Sequence, residues 1–411
     1  MQKPKLKLTK YLRQNAVTRP LENFRRASEP RRAVIIPAMA ESSFLPATLE
    51  SLAANPAAVQ RSTLVLVVVN QPEEPPANQE SEPNAFLKIT KDNQKTLTWL
   101  RQHYGDFLFQ LMWIDAASPG LELPGAGGVG AARKIGCDSL INEFIAAQSM
   151  NVEAVKFVFL HLDADTLTAN DYLQTAPAEL LAARTDGAVI DFEHQRADDQ
   201  IANRAIETFE QYLRYVVRGL RFAGSPYAFH TIGSAMACTA AGYIRAGGVS
   251  PKNQAGEDFY FLQQLAKNGG ITEILETKVF PSARLSERNP YGTGHALRDI
   301  MREGEENYQV YAPESFAALK NWLDTVQEHP DLEAEKLLNL VAIPEVRKFV
   351  ITKGFTKVWP RLQRQHEDRN RRLKAFHEWF DALATIRLIR HLTRTQYPPK
   401  RLSQAGTERE V

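Results

Sequence analysis

KFVFLHLDADTLTANDYL, residues 156–173, runs an apolar strand pattern straight into two aspartates one residue apart. Phe157, Phe159, His161 and Asp163 fall on one side of a period of two, and Val158, Leu160 and Leu162 on the other. The carboxylates of Asp163 and Asp165 then stand where the strand stops. Thr166 or Thr168 can cap a helix beginning near Ala169, so the segment reads strand, acidic turn, helix. Ligands bind at the carboxyl ends of strands in open α/β sheets. A D-x-D pair there suits a hard divalent cation held by one or two carboxylates plus substrate phosphates. Alone the motif is weak, because aspartate-rich turns also serve as caps.

The pattern repeats on both sides. Ala33 to Pro37 reads as a short buried strand stopped by proline, and Ser42/Ser43 open a helix in which Leu45, Leu49 and Leu52 share a face. STLVLVVV, residues 62–69, is continuously aliphatic, as a strand covered on both faces should be. Residues 71–84 read as an exposed loop, Leu87 to Tyr104 as a helix and Phe107 to Ile114 as a strand. A glycine-rich loop then leads into a helix from Val129 to Gln148, with a helix N-terminus open to an anion. Past the opening stretch come a helix to Ala183, a strand Gly187 to Phe192 and a long amphipathic helix Ile201 to Arg221. A small-residue region 225–248, an acidic helix start at Glu257-Asp258 and a short strand Thr277 to Phe280 follow. On its own, that acid pair reads as helix capping. Uninterrupted alternation of strand and helix marks an α/β domain. The loop after Phe280 carries Arg284, Arg288 and His295, and two arginines four apart among glycines suit a diphosphate.

Of 411 residues, 44% are hydrophobic and 24% charged, as in a globular protein with one large domain and a smaller one. Cys137 and Cys238 are too few for a disulfide framework and read as packed thiols of a reducing compartment. No apolar run has signal-peptide or membrane-spanning length, so the expected location is cytoplasmic. Residues 1–32 carry ten Lys/Arg against two acids, and residues 351–411 fourteen against six, leaving the body acidic. The simpler reading of these ends is solvated, partly disordered chain; the sharper one is peripheral contact with an anionic membrane or with a phosphorylated or lipid-linked substrate. No nucleic-acid-binding motif accompanies the basic ends. The expected organisation is a basic arm (1–31), an α/β domain (32–297), a helical region (298–400) and a polar tail (401–411). Helices in the third part are expected at 314–328, 332–341, 343–351 and 361–393, separated by Pro330, Pro344 and Pro360. Trp359, Phe376, Trp379 and Phe380 read as their packing.

Taken in order, five landmarks resemble the GT-A-fold glycosyltransferases, most closely the large inverting group called family 2. VIIPAMAESSFLPATLESL from Val34 is similar to the family's opening strand, proline, acidic loop and helix. GVGAARKIG from Gly128 resembles its glycine-plus-arginine helix start. LDADT from Leu162 resembles its D-x-D region, GSAMACTAAGYIRAGGV its acceptor-side segment, and GEDFYFLQQL its acidic helix start. The chain departs from the family in having Ala40 before Glu41, where Asn is usual, and in ending its second strand Val69-Asn70-Gln71 rather than in paired aspartates.

The resemblance implies a GT-A mixed sheet flanked by helices, with a helical C-terminal extension. It implies sugar transfer from a nucleotide-diphosphate sugar to an acceptor hydroxyl, with inversion. Asp258 would be the general base; Pro37, Glu41, Asn70, Gly130, Arg133, Lys134, Asp163, Arg284 and Arg288 would line the donor site, with Arg133 the better phosphate contact for its bidentate fork. Asp163, Asp165 and His295 would hold Mg²⁺ or Mn²⁺, and Gly233, Ser234 and Glu257 would lie on the acceptor side. The alternatives are a retaining transferase of the same fold, of the kind that makes glucosyl- or mannosyl-phosphoglycerate; a sugar-1-phosphate nucleotidyltransferase, against which the absence of a glycine-rich basic loop after Ile36 counts; and a non-catalytic nucleotide-sugar- or glycan-binding protein.

Overall fold

The computed structural model describes residues 3–25, 30–74, 83–125, 127–146, 156–197, 199–251, 256–284 and 293–405. The chain divides into two units, one of Met1–Arg196 with Thr231–Ala283 and the other of Ala197–His230 with Arg284–Val411.

The first unit is built on an eight-stranded mixed sheet: β1 (Arg32–Ala38), β2 (Thr63–Asn70), β3 (Gln110–Ala116), β4 (Val158–His161), β5 (Leu167–Thr168), β6 (Gly187–Phe192), β7 (Met236–Thr239) and β8 (Ile271–Phe280). Their spatial order is β3-β2-β1-β4-β7-β6-β8-β5. β1 pairs in parallel with β2 and β4, and β2 with β3. β7 runs antiparallel between β4 and β6, β6 is parallel to β8, and β5 closes antiparallel on β8. β2 is buried along its whole length, as its aliphatic sequence requires.

Pro37 does not stop β1, contrary to the sequence expectation, because β2 pairs with it as far as Ala38. Leu162 N–H donates to Ile35 O (3.1 Å), so the next rung toward β4 would need the N–H that proline lacks. The β1/β4 ladder therefore ends at the site while the β1/β2 ladder continues. Helix Val129–Leu140 lies against β1 and β2 through Gly136, where a Cβ would stand 3.0 Å from Ile35 Cγ2 and 3.2 Å from Val68 Cγ2. A wider π-helical stretch, Ile141–Ala146, continues it in place of the regular helix expected to Gln148. Residues 147–148 lie outside the described residues.

The N-terminal arm is ordered where it is described. A helix spans Lys3–Gln14, and Glu22 makes an antiparallel bridge to Trp113 on the outer edge of β3. Tyr11 Oη donates to Asp138 Oδ1 (2.6 Å), Val17 N–H to Asp138 Oδ2 (2.8 Å) and Arg19 N–H to Ser139 Oγ (2.9 Å). Leu8 and Tyr11, one helical turn apart, are buried as well, but the many basic residues between the apolar ones make the segment read as a solvated tail by composition alone.

The second unit is helical, with helices Gln200–Phe222, Thr293–Glu303, Pro313–Glu328, Ala334–Leu340, Pro344–Thr352, Phe355–Gln365, Arg369–Trp379 and Ala382–Thr395. A short ladder pairs β9 (Gln309–Val310) with β10 (Lys400–Arg401). Its core gathers Phe316, Trp322, Phe355, Trp359, Phe376 and Phe380, and Gly219 admits the Phe316 ring at a distance no side chain would allow. Three helices replace the single one expected over 361–393. Asp368 and Asp381 start the last two by accepting from Arg371 N–H (2.8 Å) and Ala384 N–H (3.0 Å). Pro360 lies inside a helix instead of separating two.

Candidate functional site

Arg133 is the centre of the constellation. It sits in the first turns of the Val129–Leu140 helix and is 1% exposed. One terminal nitrogen donates to Asp163 Oδ1 just past β4 (2.6 Å), the other to Glu257 Oε1 at the start of helix Glu257–Gly269. Burial alone would weaken the guanidinium's hold on its proton, but Asp163, Glu257 and Asp258 together outweigh it and keep the proton bound more firmly. Two glycines make room for this fork. A Cβ on Gly233 would lie 2.8 Å from Arg133 Nη2, and one on Gly130 would lie 2.9 Å from Glu257 Cβ.

Asp258, half-buried beside Glu257, has its carboxyl pushed up from 3.8 to about 7. Burial is the main cause and the charge of Glu257 the next, with Arg133 and the Phe259 N–H pulling the other way. The Phe259 N–H donates to Asp258 Oδ1 at 2.7 Å. An acid held near neutrality is suited to taking up and giving back a proton. Below the fork, His161 is fully buried and held neutral, its imidazole pushed down to about 3 by burial and by Arg133.

The acidic turn is fixed from its backbone. Thr48 Oγ1 donates to Ala164 O (2.9 Å), and Gln195 Nε2 to Asp165 O (2.8 Å) and Phe280 O (2.7 Å). Asp163 itself remains 43% exposed. The loops after β1 and β2 meet at buried Asn93. It accepts from Ala40 N–H (2.8 Å) and donates to Asn70 O (3.2 Å) and Gln71 Oε1 (3.3 Å). Pro37, Glu41, Asn70 and Ser234 are buried at or just beyond the strand ends.

Thr48, Asn93 and Gln195 were not singled out from the sequence. Each is an ordinary polar residue on a helix or loop, and only the partner makes it specific.

Lys134 turns away from Arg133 into a buried cluster, 2.9 Å from Asp138 Oδ2 and 3.2 Å from Tyr11 Oη. Arg284 and His295 belong to the second unit, where His295 Nδ1 lies 3.0 Å from Asp299 Oδ2. Arg288 lies outside the described residues. Among the described residues, no three His, Cys, Asp or Glu side chains converge as a metal cage.

The chain matches no protein-family model, and no curated protein matches it. Solved structures similar to it include those of S. aureus TarS. The 1–349 portion in complex with UDP-GlcNAc has a TM-score of 0.41 and 12% identity over 84% of this chain and 91% of that one. The same portion in complex with UDP has a TM-score of 0.38 and 12% identity over 85% and 92%. No helix among the described residues is long and apolar enough to cross a membrane.

Proposed function

We propose that the chain transfers a sugar from a nucleotide-diphosphate sugar to an acceptor hydroxyl, with inversion at the anomeric carbon. The observation that carries this reading is the charged fork, in which one buried arginine joins the acid at the D-x-D turn to the acid beside Asp258. The order of motifs along the chain supports it independently.

In this reading Asp258 takes the proton of the attacking hydroxyl as the new glycosidic bond forms and the bond to the diphosphate breaks. A base so placed contributes on the order of 10²–10⁴-fold. Arg133 holds Glu257 beside Asp258, where its charge helps keep the Asp258 carboxylate basic. Asp163 and Asp165 would hold Mg²⁺ or Mn²⁺ together with the donor's phosphate oxygens, and the bound ion supplies charge neutralisation to the leaving diphosphate.

The test begins with nucleotide sugars and Mn²⁺ in a thermal-shift screen, since a ligand of the folded state raises its melting temperature. Nucleoside diphosphate release and product configuration are then measured with the donor that binds. Asp258→Asn is expected to lower turnover by about 10²–10⁴-fold while donor binding persists. Near-normal turnover in that variant, or no binding by any nucleotide sugar, overturns the reading.

A further inference from the structure

A second feature of the first unit lies at the opposite ends of the strands. Lys156 precedes β4 by two residues and Asp163 follows its last residue by two, a separation of roughly 20 Å along extended chain. There a cavity of about 160 Å³ is lined by Lys156, Arg184, Thr185, Asp186 and Arg245, with Phe157 at its apolar side.

Its floor is a built ion pair. Asp186 is buried and accepts from Arg245 Nε (2.8 Å) and from Arg245 Nη2. Gly242 and Gly269 press against it so closely that neither could carry a Cβ without moving it. Arg245 and Asp186 cancel in charge, which leaves Lys156 and Arg184 as two cations at one opening. Neither side chain has an ion-pair or hydrogen-bond partner among the described residues. Both residues also hold left-handed backbone, with φ of 47° and 58°, two of the four non-glycine residues described that do so. Arg184 occupies the C-cap of helix Tyr172–Ala183, a position that glycine ordinarily fills. Lys156 and Arg184 therefore reach the same cavity from left-handed backbone, with no acidic partner among the described residues.

We propose that this cavity is an anion site for a small phosphate monoester, separate from the charged fork and independent of the function proposed above. A phosphate ester near neutral pH carries close to two negative charges and three acceptor oxygens, which complements two cations that have no acidic partner among the described residues, beside a neutralised pair. The volume is that of roughly five waters in the liquid, enough for a phosphate group and a short organic body.

The experiment uses the full chain, with inorganic phosphate and glycerol 3-phosphate as probes, in thermal-shift and calorimetric titrations against sodium chloride at matched ionic strength. Saturable binding is expected, weakened about tenfold or more in Lys156→Ala/Arg184→Ala, as loss of charge-assisted hydrogen bonds requires. Both substitutions are at the surface, and an unchanged melting temperature without phosphate confirms the fold. Vesicles containing phosphatidic acid form the second arm. Sedimentation with them that the double variant loses assigns the site to a lipid headgroup; soluble binding without sedimentation assigns it to a free ester. The proposal is overturned if chloride reproduces the phosphate effect, or if the double variant binds both probes as the unsubstituted chain does.

Discussion

Arg133 and Asp258 set the electrostatics of the first unit between them. With Arg133→Met, Glu257 and Asp163 lose their shared counter-charge, and Glu257 is left buried and unpaired. The expected cost is roughly 3–5 kcal/mol, read as a lower urea midpoint. Arg133→Lys should recover only part of it, since a single ammonium cannot fork to two carboxylates. Asp258 gives a signed pH dependence. Its folded carboxyl binds a proton up to about 7, whereas in the unfolded chain it ionises near the ordinary 3.8. Between those values the folded state holds more protons, so this group's contribution to stability falls as pH rises from 4 to 7. Asp258→Asn should therefore raise the melting temperature at pH 8 by more than at pH 4. The proposed transfer reaction should accelerate through pH 7 as the carboxylate forms, and a rate flat from pH 5 to 9 would remove Asp258 from the proton step. The acids themselves were legible in the sequence as a D-x-D turn and an acidic helix start. Arg133 was legible as a candidate but not its partners, because joining residues 133, 163 and 257 is a property of the sheet order.

Strands were easier to read than the contacts that aim their ends. β2 and β6 could be read from aliphatic runs, since burial on both faces leaves little choice of residue. β8 was seen only in its last four residues, because Ile271–Glu276 mixes exposed acids with apolar positions. The helix breaks at Asp368 and Asp381 carried a signal, an aspartate ahead of a helical run, that the amphipathic pattern on either side obscured. Asn93 is the clearest case of an element-level role without a sequence signature. It is fully buried and ties the turn after β1 to the end of β2. Asn93→Ala removes the acceptor for the Ala40 N–H and a donor for two oxygens, and is expected to cost roughly 1–3 kcal/mol. Faster amide exchange at Ala40 than at Val65 would show that the loss is local to the strand-end loops.

At the scale of the molecule, the basic N-terminus acts as a fitted part of the first unit. Deleting residues 1–25 uncovers the β3 edge and takes from Asp138 the Tyr11 and Val17 donors. A lower melting temperature and concentration-dependent light scattering are expected, because an open edge strand pairs with other chains. An unchanged melting temperature would show the arm to be dispensable. Residues 197–230, which belong to the second unit, interrupt the sequence of the first. During synthesis the helix Gln200–Phe222 emerges before β7 and β8, so the first unit's sheet waits for strands made after the second unit has begun. Phe316, which fills the space left by Gly219, comes later still. The first unit can close its sheet once β8 has been made, whereas the helix Gln200–Phe222, synthesised earlier, must keep its apolar face from other chains until the helices of the second unit follow.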